Sequence, residues 1–447
     1  MSQGSIAARL DSLPLTRTHK RLITIVGLGL FFDLFDVFLA GVLSTVLTGS
    51  FGIDRAMLPY VIGSGFVGMF FGATFMGVVA DRYGRRRAYL LNLAIYSVFT
   101  LAGAFSPTAV FLIATRFLAG IGIGAQLPLA DSYLGEILPA KRRGRLIAVA
   151  YTIGFVGNPA VAFLARILVP TSPFGVDGWR WLFVIGALGG LTIWFGQRLL
   201  PESPRWLLSV GRNDDAERAF EEIAGITSPG ASVAAAATVP HRPARVPFSV
   251  LFSPAYRGRV IMFYAFQVFQ TAGYYGFGTM VPLVLASKGF SVLSSLTYTS
   301  IAFIGYPVGS FLSVFIVERF DRRWLIAATL FLMAVLGVAM GYSTPPLAIG
   351  VIGIIYTLIS NIFANAFHIF QGEIFPTAIR GTAAGSAYGI SRITTALMPF
   401  VLIPLLEDYG ATIMFATIAG ALAIDILIIS LFAPSTTGKS LEEIAAH

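Results

Sequence analysis

The chain has 447 residues, of which 56% are hydrophobic and 12% charged, with a mean hydropathy of +0.79 and a net charge of +9. A soluble domain carries about 25% charged residues, so this composition describes an integral membrane protein. There is no cysteine, which excludes a disulfide framework, a thiolate metal site and a cysteine nucleophile.

Twelve apolar runs, each near the ~20 residues that cross a bilayer, are predicted as helices at 22–47, 57–80, 88–105, 109–134, 146–169, 180–200, 259–286, 296–317, 324–342, 347–371, 382–406 and 411–433. With residues 1–21 on the cytoplasmic side, 25 of the 31 Lys and Arg fall on that side. Three lie in external loops (Arg55, Arg180, Lys288) and three inside runs (Arg116, Arg166, Arg392). That asymmetry predicts both termini in the cytoplasm of a cell whose inner membrane the chain spans. The basic charge therefore belongs to membrane topology, and no nucleic-acid partner is expected. The predicted organisation is a cytoplasmic segment 1–21 without a cleavage pattern, a six-run unit 22–200, a cytoplasmic loop 201–258, a second six-run unit 259–433 and a tail 434–447.

The first run contains Asp33 and Asp36, three residues apart and so on one helical face at mid-membrane. A carboxylate at that depth costs ~2.5–3.5 kcal/mol and normally faces a cavity or a partner. Two readings stand, a structural ion pair or proton coupling, and Asp36 is the first choice for the coupling site. The second run is rich in glycine, with Gly68 and Gly72 spaced for close helix contact.

After it comes Gly77-Val78-Val79-Ala80-Asp81-Arg82-Tyr83-Gly84-Arg85-Arg86-Arg87, a charged loop echoed 237 residues later by Glu318-Arg319-Phe320-Asp321-Arg322-Arg323. Gly135-Glu136-Ile137-Leu138-Pro139 with Arg143 and Gly144 returns at the same offset as Gly372-Glu373-Ile374-Phe375-Pro376 with Arg380 and Gly381. Two charged loops repeating at one spacing indicate a duplicated unit. Asp81, Arg82, Arg85, Glu136, Arg143, Glu318, Arg319, Glu373, Arg380, Glu202 and Arg205 are the expected cytoplasmic gate. Glu136 is expected to pair with Arg82 or Arg143, and Asp81 to act as a latch made in one conformational state.

In the fourth run Arg116 enters from the external side near the depth of Asp36, so helix 1 is the obvious supplier of its counter-charge. Gln126 and Asp131 follow. In the fifth run Gly157-Asn158-Pro159 marks either a cavity position or a simple kink. Loop 201–258 holds a helical candidate at 214–223 and an Ala, Pro and Ser-rich stretch at 228–247 that reads as flexible. The seventh run carries Gln267, Gln270, Tyr274 and Tyr275. At the 237 offset Gln270 stands opposite Asp33 and Gly273 opposite Asp36, so the duplicated halves differ in charge. Proton handling is expected in the first half and substrate contacts in the second. The tenth run carries Asn361, Asn365 and His368, and the eleventh Arg392. Arg392 reads either as an anion clamp or as the partner of a carboxylate such as Asp425.

These residues resemble the major facilitator superfamily over essentially the whole chain. Gly77 to Arg87 is similar to that superfamily's signature between helices 2 and 3, with Val79 where Leu is usual. Pro201-Glu202-Ser203-Pro204-Arg205-Trp206-Leu207 and Pro434 to Glu443 resemble the two motifs flanking the halves of sugar porters, with Ser435 in place of Glu. The Gln-Leu-Ser-type pattern and the adjacent glutamines of the sugar-porter cavity are absent. Asp33-Leu34-Phe35-Asp36 instead resembles the Asp-Gly-aromatic-Asp of aromatic acid/proton symporters, with Leu34 for Gly. Gly389-Ile390-Ser391-Arg392 also resembles that group and the related organic ion and vesicle-protein-like carriers. The resemblance implies an all-α fold of two six-helix halves around a central cavity that rocks between inward- and outward-open states.

The expected function is proton-coupled uptake of a small organic anion, an aromatic or sugar acid. Asp36 and Asp33 bind the proton, Arg116 tunes them and Arg392 clamps the anion. Gln267, Gln270, Tyr274, Tyr275, Asn158, Gln126 and Asn361 line the site. Expected partners are the bilayer, protons and an anionic solute, with no metal, no cofactor beyond the coupling proton, and a monomeric chain. A sugar or polyol porter and a non-transporting sensor are the alternatives; an enzyme is disfavoured by the lack of cysteine and of a His-Glu-x-x-His pattern.

Overall fold

Helices that cross a bilayer must satisfy their own backbone, and the chain resolves into twelve traverses, almost all of them helical throughout. A computed structural model describes residues 6–434 except 54–55, 226–247, 255, 318 and 376; the side chains of 7, 81, 141, 372 and 377–381 also lie outside the description. The first traverse, α1, is Arg17–Val42, continued by Ser44–Phe51. Then come α2 (Leu58–Tyr83), α3 (Arg85–Ala104), α4 (Ala109–Gly124 and Gln126–Ile137), α5 (Arg143–Phe155 and Gly157–Leu168) and α6 (Gly178–Arg198). The second half runs α7 (Arg257–Thr271, Ala272–Gly276 and Phe277–Ser287), α8 (Val292–Phe303 and Gly305–Ile316), α9 (Arg322–Tyr342) and α10 (Pro346–Glu373). A continuous stretch, Thr377–Phe432, folds back at Gly410 (φ 84°) into α11 (377–409) and α12 (411–432).

An even number of traverses brings residues 6 and 434 to one face, called here the terminal face. The helix ends follow from local chemistry. Thr108 and Ser291 accept the amides of Phe111 and Ser294 at the starts of α4 and α8, and Asp321 accepts that of Arg323 at the start of α9. On the terminal face Ile6–Ser12 packs against two short helices of the connecting loop, Pro204–Ser209 and Asn213–Ala224. Arg9 pairs with Glu217 at 2.7 Å, and the Thr16 hydroxyl donates to the Ile223 carbonyl at 2.7 Å.

Close helix packing in lipid depends on small residues, and the glycines of α2 and α4 form such a seam. A Cβ on Gly68 would collide with the Phe117 carbonyl, one on Gly120 with that of Gly65, and one on Gly124 with that of Met69. The two backbones are therefore in direct contact. Between α2 and α3, Gly84 adopts φ 107° and sits against the Glu202 carboxylate, a turn that a residue with Cβ would strain.

The halves meet along α1–α7, α2–α11 and α5–α8. Toward the face opposite the termini the contact is tight. Phe38 stacks on Tyr275 at 6.3 Å and 19°, Tyr60 meets Phe400 edge-on at 4.8 Å, and Arg166 donates to Thr297 at 2.7 Å. Gly63 backs onto the Ala396 carbonyl. Phe38 and Tyr275 are themselves separated by 237 residues, so one symmetry-related pair stacks across the interface. On the terminal side the halves still touch through α5 and α8, where Thr152 and Ser310 approach to 3.3 Å.

Candidate functional site

The opening between the halves is lined from α1 by Leu34, from α4 by Leu127, from α5 by Tyr151 and Phe155, from α7 by Gln267, Gln270, Tyr274 and Tyr275, from α10 by Phe363, Phe367, His368 and Gln371, and from α11 by Tyr388, Ser391 and Arg392. Its free volume is about 60 Å³, well under the ~300 Å³ of a small-molecule pocket. The site is contracted, and a ligand is admitted only as the walls separate. His368 on its wall is solvent-exposed, as is Asp131, one helical turn from Leu127 toward the terminal face. The opening is thus toward the termini.

Arg392 dominates its chemistry. The side chain is 3% exposed; Nη2 donates to the Tyr275 hydroxyl at 2.7 Å, and Nη1 lies 4.0 Å from Met69 Sδ. The guanidinium sits 4.7 Å from the Tyr275 ring centre and 4.2 Å from that of Tyr388. Among the described residues no carboxylate is within ion-pair distance of it. The pairing with Asp425 that the sequence left open does not occur; Asp425 is fully buried in α12 and neither of its oxygens has a hydrogen-bond partner. Aromatic faces attract a cation without neutralising it, so Arg392 keeps its capacity to bind an anion.

The tyrosines reach the cavity through a local change of helix. Ala272–Gly276 forms a π-turn between the α-helical limbs of α7, a geometry frequent at functional sites. It brings consecutive residues, Tyr274 and Tyr275, to the same cavity, their rings 4.9 Å apart. Two rings one residue apart would otherwise point about 100° apart around the helix. Gln270 donates to Gln267 at 2.8 Å on the preceding turn.

In the first half Arg116 Nη1 donates to Asp36 Oδ2 at 2.5 Å and Nη2 to the Asp36 carbonyl at 2.9 Å, while Thr100 approaches Oδ1 at 3.4 Å. Arg116 is 4% exposed and Asp36 fully buried. Helix α1 does supply the partner that Arg116 needs. Asp33, one turn nearer the terminal face, is buried, and neither carboxylate oxygen has a protein partner. Gly273 and Gly353 occupy the equivalent positions of Asp36 and Arg116 in the second half, so the ion pair belongs to one half alone.

Asn158, Gln126 and Asn361 do not line the cavity. Gln126 is buried behind Leu127, which takes the cavity-facing position, and Asn158 is buried where the broken α5 packs on α1. Asn361 donates its amide to the Tyr306 carbonyl of α8. Tyr151, Tyr388, Phe363, Phe367 and Gln371 do line it and were not expected. A signal for two of them was present: Tyr151 and Tyr388 are 237 residues apart, each one turn before the matched pair Phe155 and Arg392.

The gate residues form ties within each half. Arg85 binds Glu136 at 3.1 Å and Arg322 binds Glu373 at 3.3 Å; the two pairs are related by the same 237-residue offset. Glu136 therefore pairs with Arg85, correcting the expected Arg82 or Arg143. Arg82 lies instead over the Tyr83 ring at 5.6 Å, because the tight turn at Gly84 brings Arg85 under α4. Arg143 and Arg205 both bind Asp11, at 2.6 and 2.7 Å, a carboxylate the sequence did not single out. Glu202 accepts the backbone amides of Arg86 and Ser203, each at 3.0 Å. Burial pushes its carboxyl above the usual range, and the Arg86 and Ser203 amides hold it back. Arg319 is exposed beside Phe320. The side chains of Asp81, Glu318 and Arg380, the 228–247 stretch and all but the first residue of the 434–443 motif lie outside the described residues.

The chain matches the family model described as "Sugar (and other) transporter" over residues 19–447. It is 32% identical to YyaJ of Bacillus subtilis (strain 168) across 98% of this chain and 97% of that protein. It is 29% identical to the niacin transporter NiaP of Acinetobacter baylyi, covering 98% and 99%. With the 4-hydroxybenzoate transporter PcaK of Pseudomonas aeruginosa it shares 28% identity over 88% of this chain and 87% of the other. Its fold superposes on the xylose transporter XylE of E. coli, in a partially occluded inward-open conformation, with a TM-score of 0.78 at 18% identity, covering 95% of this chain and 100% of that one. A chain matched along its length by that family, with its twelve traverses and central cavity, belongs to the sugar (and other) transporters of the major facilitator superfamily and is a membrane transporter, not an enzyme.

Proposed function

We propose that the protein is a proton-coupled symporter that imports a small organic anion, an aromatic monocarboxylate. The observation that carries this reading is Arg392, buried at a cavity walled by Tyr151, Phe155, Phe363, Phe367 and Tyr388, its charge unmatched by any described carboxylate within ion-pair distance. A planar carboxylate suits its fork, and a flat ring suits the aromatic walls. Relatives named for niacin and for 4-hydroxybenzoate transport point the same way. The proton is the coupling ion, carried by Asp36 and Asp33 beside Arg116, and no other cofactor is required. Excess Lys and Arg on the terminal face put that face in the cytoplasm by the positive-inside rule, in the inner membrane of the cell. The protein works as a monomer.

In proteoliposomes with an imposed inward proton gradient, nicotinate and 4-hydroxybenzoate should accumulate, and a protonophore should abolish accumulation. Uptake that persists with the protonophore rejects coupling. The second reading, a sugar or polyol porter, is favoured by Gln267 and Gln270 on the cavity wall. A thermal-shift series of neutral sugars against aromatic carboxylates separates the two, since only a bound ligand raises the unfolding midpoint.

A further inference from the structure

The ion pair of Asp36 and Arg116 leaves one titratable pair at the cavity without a role. Tyr151 donates its hydroxyl to Asp131 Oδ1 at 2.8 Å. Tyr151 lines the cavity one turn from Phe155, and Asp131 stands one turn beyond Leu127, exposed on the terminal side. The pair therefore spans the boundary between the central site and the water that reaches it from the terminal face.

Unsatisfied polar atoms gather on α1 and α3, on the other side of Tyr89 from the pair. Neither oxygen of Asp33 has a partner. The Tyr89 hydroxyl of α3, also without a partner, packs against Gly29, one turn from Asp33 on α1. One turn along α3 the Asn92 amide is equally unmatched. Buried polar groups that lack protein partners are served by water, and water between such groups conducts protons. The ionisable groups facing the pair are Tyr89 from α3, Tyr388 from α11 and His368 from α10, with its ring 6.5 Å from that of Tyr151; Tyr89 in turn neighbours Asp33 of α1, and Tyr388 lies under Arg392.

We propose that Asp131, held by Tyr151, is the station through which the coupling proton leaves for the terminal face. The acid O–H of Asp33 gives its proton to a bridging water near Tyr89. That water passes a proton on to the Tyr151 hydroxyl, which hands its own proton to the Asp131 carboxylate. Asp131 releases it to the water it faces, and Tyr151 ends as it began. No electron moves and no co-reactant is needed. Asp131 contacts neither the substrate cavity nor the Asp36–Arg116 pair; its part is to carry the proton.

This rests on the symport reading, and the test separates the two. Proteoliposomes carrying a lumenal pH dye are given nicotinate and 4-hydroxybenzoate under a proton gradient, for the wild type, Asp131→Asn and Tyr151→Phe. The wild type should acidify the lumen as either compound enters. Asp131→Asn should slow net uptake roughly tenfold or more, the scale of a lost proton-transfer group, and leave substrate counterflow, which needs no net proton release, at the wild-type rate. Lumenal formate, a small carboxylate that can take the proton in its place, should restore net uptake. Tyr151→Phe should also slow net uptake, by less, and lumenal formate should restore it. A wild type that moves no protons sinks the symport reading and this one with it. A coupling wild type with an unimpaired Asp131→Asn, or an Asp131→Asn that loses counterflow and net uptake equally and ignores formate, overturns the release station alone.

Discussion

At the scale of single residues, the two buried arginines are held in opposite ways. Arg116 is matched to Asp36 through a side-chain and a backbone acceptor, whereas Arg392 meets phenols and ring faces. Removing one partner of a buried ion pair strands the other charge. Asp36→Asn is therefore expected to abolish concentrative uptake while counterflow exchange continues; gradient-driven accumulation at the wild-type level would show that the coupling proton sits elsewhere. Arg392→Lys keeps the charge and loses the planar fork, so the affinity for an aromatic carboxylate should fall about tenfold, or about 1.4 kcal/mol. Equilibrium binding by isothermal titration reads this directly, and an unchanged dissociation constant would make Arg392 structural. Arg116 with its carboxylate was legible in the sequence because an intramembrane cation demands a counter-charge from a neighbouring helix. The cation–aromatic setting of Arg392 was not, since nothing local says that Tyr275, 117 positions away, will stand under it.

At the scale of elements, the seam between α2 and α4 sets how close two backbones come. Gly124 lies against the Met69 carbonyl with no room for a methyl group. Gly124→Leu should lower stability in detergent by about 1–3 kcal/mol, the usual cost of overpacking, seen as a lower midpoint of thermal unfolding. A variant as stable as the wild type would mean the seam yields easily. Runs of apolar residues and the 237-residue echo made the twelve traverses and their pairing into halves readable. The echo also contained the ties Arg85–Glu136 and Arg322–Glu373, though the sequence offered several arginines for each glutamate. The turn at Gly84 decides among them. The π-turn of α7 left no periodic signature, because the few polar residues on either side of it, Gln267 and Gln270 before and Tyr274 and Tyr275 within, are too close together to show the change of phase. Asn158, Gln126 and Asn361 were misplaced for a related reason: a polar residue at mid-membrane must be satisfied or hydrated, and that requirement does not say on which side of its helix the cavity lies.

At the scale of the molecule, the seal opposite the termini is made by contacts between halves, such as Gly63 against Ala396 and Tyr60 against Phe400. A large side chain at Gly63 should wedge this seal apart. Gly63→Trp is expected to fold, to abolish net uptake, and to raise the accessibility of a cysteine introduced at Ser295, buried near the start of α8 at that end of the molecule, to a membrane-impermeant thiol reagent added on that side. Wild-type transport by Gly63→Trp would show that the contact is not made during the cycle.

The ties described on the terminal face, Arg85 to Glu136 and Arg322 to Glu373, each close within one half. Among the described residues no ion pair joins the two halves; they meet through ring on ring, backbone on small residue, and the hydrogen bonds of Arg166 with Thr297 and Thr152 with Ser310. Breaking the seal opposite the termini is then in large part a matter of wetting apolar surface. Such a barrier carries a heat capacity of activation and curves with temperature, while screening by salt, which acts on charges, passes it by.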